Sequence, residues 1–162
     1  MKKYLFLFTA LLIIFTVKAA YQPQFTTAGF YPLDATGRKA YSINAAWRFV
    51  KSDVANAESL GFDDSKWEVV SLPHGIEYLP LEASGSVNYQ GVVWYRKHFT
   101  PDNALKGKKL FLHFEAIMGK CKVWVNGKLA TEHFGGYTPV IADVSSLLKW
   151  NEDNIIAVMA DN

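Results

Sequence analysis

The groups that could do chemistry in this 162-residue chain are acids, four histidines and one thiol. Asp63 and Asp64 are adjacent carboxylates within Phe62-Asp63-Asp64-Ser65-Lys66-Trp67. Neighbours in an extended chain point to opposite sides, so the pair does not converge on a metal or a shared proton. Asp and Ser in front of a strand bond nearby backbone N–H groups, and the segment reads as a capped turn. His113 stands between Phe111 and Glu115 in an alternating run, which suits a cross-strand or surface residue. Cys121 alternates with Val123 and Val125 and reads as a small buried hydrophobe. No phosphate loop, metal-ligand cluster, acidic calcium loop or nucleophile motif stands out. The stretch from His74 to Gln90 is different. It carries Glu77, Tyr78, Glu82, Asn88 and Tyr89, and it lacks apolar periodicity. Acceptors beside rings are the types that contact a sugar, whose hydroxyls need hydrogen bonds and whose C–H faces need apolar cover. Long loops in compact domains are commonly functional or mobile.

Short strands must position these groups. Ala45–Val50 places Trp47 and Phe49 on one face, and Trp67–Leu72 follows, closed by Pro73. Gly91–Thr100 carries Trp94 on one face and Tyr95 and Phe99 on the other. It should be buried on both sides or lean on a second body. Arg96 and Lys97 then need partners, and Glu115 across the sheet is the expected one. Leu110–Glu115 alternates with Leu110, Leu112 and Phe114 inward. Lys120–Asn126 and Lys128–Phe134 join through Asn126-Gly127, a dipeptide that tolerates positive φ and marks a two-residue hairpin. Gly135-Gly136 turns the chain, Asp143 caps a short turn, and Ile155–Ala160 is the last strand. About eight strands with turns at roughly ten-residue spacing predict an all-β antiparallel sandwich or jelly roll.

The first residues are expected to lie outside this fold. Lys2 and Lys3 precede Tyr4–Val17, which is apolar but for two threonines, and Val17-Lys18-Ala19 offers small residues for cleavage. This is the pattern of a secretory signal peptide spanning residues 1–19, so the protein is expected to be exported to the periplasm or beyond. As a helix the run reaches about 21 Å, short of the roughly 30 Å hydrocarbon core. Loss of Lys2, Lys3 and Lys18 from 17 basic residues leaves 14 against 15 acidic, so the precursor's formal +2 becomes −1. That balance argues against nucleic acid or an anionic membrane as partner. With one cysteine no intrachain disulfide forms, and the chain must build a self-sufficient core. The expected layout is an arm over 20–40 and one domain over 41–162.

Six segments in order, Phe62–His74, Gly91–Phe99, Leu112–Ala116, Val123–Lys128, His133–Pro139 and Asn154–Asn162, resemble the N-terminal domain of glycoside hydrolase family 2. That family includes β-galactosidases, β-mannosidases and β-glucuronidases. The Gly-Gly-Tyr-Thr-Pro corner after Val-Asn-Gly-Lys is the most specific piece. The resemblance implies a jelly roll of the galactose-binding-domain type. It also implies an immunoglobulin-like domain and a TIM barrel following in the full enzyme. The retaining glutamates belong to the barrel, so no residue here is expected to be catalytic: not Glu58, Glu68, Glu77, Glu82, Glu115, Glu132 or Glu152. Retaining carboxylates stand about 5–5.5 Å apart on a rigid site, and nothing in the sequence sets up such a pair. The ending at Asp161-Asn162 reads as an interruption, as in a fragment of a longer product. What the resemblance assigns to this domain is contact with carbohydrate, through Asp161 and Asn162 after the last strand and Asn88 in the long loop. The other expected partners are the later domains of the same polypeptide, with no cofactor or metal. The alternative is a free-standing secreted carbohydrate-binding module, with Trp94 and Tyr89 as candidates for an exposed aromatic platform.

Overall fold

The computed structural model describes residues 24–25, 37–77 and 89–162. The expected leader, most of the expected arm, Tyr78, Glu82 and Asn88 lie outside these residues. Ten strands are present among the described residues: β1 (Gln24–Phe25), β2 (Tyr41–Ser42), β3 (Trp47–Val50), β4 (Glu68–Val70), β5 (Val92–Phe99), β6 (Phe111–Phe114), β7 (Lys120–Val125), β8 (Lys128–Phe134), β9 (Val140–Asp143) and β10 (Asn154–Asp161). A six-stranded sheet runs β4-β3-β5-β10-β7-β8, beside the two-stranded pairs β6-β9 and β1-β2. Every pairing is antiparallel. A 3-10 turn at Asn103–Leu105 lies between β5 and β6.

The period-2 pattern explains the layers. Trp47 and Phe49 of β3, Val93 of β5, Cys121, Val123 and Val125 of β7, and Ile156, Val158 and Ala160 of β10 bury one face of the large sheet. Leu112 of β6 with Val140 and Ala142 of β9 close the same cluster from the other side, giving a two-layer sandwich. Each fully buried aliphatic contributes roughly 1.5–3 kcal/mol. Trp47 is sealed in this core and donates its indole N–H to the carbonyl of Ile43 at 2.8 Å. Cys121 is buried as expected, and burial pushes its thiol pKa up.

The Asn126-Gly127 hairpin forms with positive φ at both residues, the condition for a type I′ turn. Asn126 does more than permit the turn. Its side chain donates to Leu147 O and Asn154 Oδ1 at 2.8 Å each and accepts from Ile155 N at 3.0 Å. The hairpin is thereby tied to the start of β10.

Strand β5 is buried on both faces, and this chain itself supplies the second cover. Trp94 stacks on Trp124 at 5.3 Å between ring centroids. Both are roofed by Val54, Ala57, Phe62 and Trp67 from the segment between β3 and β4. The expected pairing of Arg96 and Lys97 with Glu115 does not occur. Glu115 follows β6 in the opposite layer and is exposed, whereas Arg96 turns into the roof and Lys97 into the main core. Lys97 donates to Ala45 O at 2.6 Å, and burial lowers its pKa.

Candidate functional site

Among the described residues, two of the places where polar side chains gather bear on a candidate site. The first lies under the roof. Arg96 donates from Nε to Asp64 Oδ2 at 2.7 Å and from Nη1 to the carbonyls of Ala57 and Ser59. His98 sits between two carboxylates, with Nε2 2.9 Å from Asp64 Oδ2 and Nδ1 2.7 Å from Asp153 Oδ2. Carboxylates accept, so only the doubly protonated imidazole satisfies both contacts. The bond to Asp64 accordingly raises the His98 pKa against the effect of burial, with Asp153 adding to the rise. Burial alone would raise Asp64, but the bonds from His98 and Arg96 outweigh it and hold the carboxyl below its ordinary value. This cluster is a clamp. Asp63 behaves as a turn cap, accepting from Ser65 N at 3.0 Å, while Asp64 departs from that expectation and turns inward.

The second place is the rim where β10 ends. Asp161 pairs in register with Val92 at the start of β5 and with Lys120 at the start of β7. Gly91 N donates to Asn162 O at 3.1 Å, and Asn162 Nδ2 donates to Tyr89 O at 3.1 Å. Gly119, at φ +79°, lies so close that a β-carbon there would overlap the Asp161 carbonyl. Gly135 N donates to Gly119 O at 2.9 Å, which draws the Gly-Gly corner to the same rim. The ends of the β4–β5, β6–β7 and β8–β9 connections and the residues after β10 thus meet in one place.

The structure sorts the predicted residues. Asp161 and Asn162 lie together and exposed, and Asn162 holds the carbonyl of Tyr89, the residue after Asn88. The Asp161 carboxylate has no partner among the described residues. Glu77 and Tyr89 are engaged internally. Glu77 pairs with Lys51 and accepts from Tyr89 N at 3.2 Å, and Tyr89 donates its hydroxyl to Val92 O at 2.8 Å. The platform expected of Trp94 and Tyr89 is therefore absent: Trp94 is buried under the roof and Tyr89 is half-buried as a strut. His113 is exposed on the outer face of β6, as its alternation indicated.

Sequence reasoning missed the aromatics that are exposed on this side. Phe134 is 83% and Tyr137 89% exposed, and both flank the glycine corner. Their position in a corner, off any alternating run, was the available signal.

Function is carried by such local sites and not by the fold, so the rim with exposed Asp161 and Asn162 is the candidate site. The family model described as "Glycosyl hydrolases family 2, sugar binding domain" matches residues 35–161. The chain is 42% identical over 127 residues to a β-galactosidase of Thermoanaerobacter pseudethanolicus, covering 78% of this chain and 17% of that protein. A β-glucuronidase of Formosa agariphila is 33% identical over 138 residues, covering 80% and 14%. Among solved structures, a family 2 glycosyl hydrolase from Bacteroides cellulosilyticus superposes with TM-score 0.68 at 35% identity, over 75% of this chain and 17% of that one. A Bacteroides uniformis β-glucuronidase gives 0.66 at 32% identity, over 75% and 14%. The chain belongs to glycoside hydrolase family 2, through its N-terminal sugar-binding domain, and spans about one sixth of the length of these relatives.

Proposed function

We propose that this chain is the non-catalytic N-terminal domain of an exported family 2 glycosidase, β-galactosidase-like in substrate, with the jelly-roll topology of galactose-binding domains. In the full enzyme the rim walls the sugar pocket of a catalytic barrel, with Asp161 and Asn162, joined by Asn88, as its sugar contacts. The observation that carries this reading is the convergence of Asp161, Asn162 and the residue after Asn88 on one open rim. The 42% identity to a β-galactosidase, against 33% to a β-glucuronidase, supports the galactoside. The basic and apolar residues 2–19 support export. Purified 20–162 should show no turnover of nitrophenyl-β-galactoside, and hydrolysis above a blank would overturn the reading. The second reading is a free-standing carbohydrate-binding module. It is favoured by the open aromatics Phe134 and Tyr137, and micromolar binding of the isolated chain to extended polysaccharides on a glycan array, tighter than to a short β-galacto-oligosaccharide, would select it.

A further inference from the structure

We propose that Phe134 and Tyr137 form an aromatic platform on which a pyranose ring of a β-galactoside-type glycan stacks, beside Asp161 and Asn162. The proposal rests on the reading of the rim as sugar-facing and assigns its apolar half. The exposures single these residues out. After Tyr137 and Phe134, the next most exposed large hydrophobics among the described residues are Phe111 and Val69, both at 58%. Exposed apolar groups gathered in one place mark interaction sites where scattered ones do not, and these two flank the same glycine corner.

The corner is also rigid. Phe134 pairs in register with Lys120, and His133 Nε2 and Thr138 Oγ1 are hydrogen-bonded across the corner at 2.9 Å. Gly136 is roofed by Met118, whose sulfur occupies the space a β-carbon would need. The backbone around both rings is held without the rings themselves being packed, so stacking a ligand on them orders little additional chain.

The chemistry alongside is complementary. One face of a galactopyranose is a patch of C–H groups, which an aromatic ring covers, while the hydroxyls at its edge need partners. Asp161 offers two acceptor oxygens. Asn162, after donating one N–H to Tyr89 O, keeps its amide oxygen and a second N–H. The two backbone segments that carry these groups both abut Gly119.

Calorimetric titration of purified 20–162 with a β-galacto-oligosaccharide tests the platform. Tyr137→Ala and Phe134→Ala should each weaken binding about tenfold, with the melting temperature unchanged, and Tyr137→Phe should restore most of the affinity. Full affinity in both alanine variants, with binding lost only in Asp161→Ala, would overturn the platform and leave the sugar-facing rim standing. That result would point to another polypeptide segment as the occupant of the aromatics. Binding indifferent to all three positions, or no binding by the parent chain, would overturn both readings.

Discussion

Asp64 and Asp161 are the same side chain in opposite circumstances. Asp64 is buried, receives Arg96 and His98, and fastens the roof over β5. Asp161 ends β10 exposed, with its backbone fixed on both sides and its carboxylate unpartnered among the described residues. In the clamp, Arg96 and Asp64 are enclosed and paired, so their removal should cost folding. At the rim, rigid backbone presents unmatched groups, so their removal should cost binding. Acidity is common to both, and what separates structure from function is whether the fold supplies the partner.

The largest effect that separates the two regions is expected from Arg96→Ala. It leaves buried Asp64 with only the partly exposed His98 as partner and should destabilise the chain by about 3–5 kcal/mol, read by urea denaturation. A loss below about 1 kcal/mol would mean that the clamp is not structural. Gly119→Ala is next and deliberately couples the regions. Positive φ and overlap with the Asp161 carbonyl should cost about 1–3 kcal/mol, and sugar binding should fall with it. Unchanged stability in that variant would contradict the close packing of the rim.

A smaller effect is pH dependence, which of the two regions should belong to the clamp. The His98 pKa is raised above 6.5, so its contribution is fully present below 6.5 and is lost as pH climbs through the folded value. The Asp64 pKa is lowered below 3.8, so its contribution is present above 3.8 and is lost as pH falls through the folded value. The clamp, with Arg96 and Asp153 as the other charges facing His98, is therefore strongest between those values. Raising pH from 6 to 8.5 should lower the denaturation midpoint modestly, because the imidazole is 40% exposed. His98→Gln should abolish that slope, and a persistent slope would assign it to another group. The smallest effect is expected from Asp161→Ala, within about 0.5 kcal/mol of the parent. A loss of 2 kcal/mol would make Asp161 a structural residue like Asp64.

What the sequence revealed follows from the range of the interactions. Period-2 runs and the Asn126-Gly127 turn are local, and β3, β5, β7, β8 and β10 lie where alternation predicts them. The two faces of β5 were legible as well, since Trp94 and Tyr95 are neighbours. The clamp was not, because Asp64 meets Arg96 across 32 positions through a roof that no periodicity announces. The bonds of the Asn126 side chain to Leu147 and Ile155 were hidden for the same reason. At the rim, Asp161 and Asn162 came from family resemblance. The exposure of Phe134 and Tyr137 depends on how the glycine corner folds back on Gly119.

The most direct test is residue-resolved amide shift mapping of labelled 20–162 titrated with a β-galacto-oligosaccharide. Shifts should cluster at Tyr89–Gly91, Gly119, Phe134–Tyr137 and Asp161–Asn162, with Ala57–Trp67 and Arg96–His98 silent. Shifts centred on the clamp, or a rim that does not respond at saturating sugar, would contradict the division between the two regions.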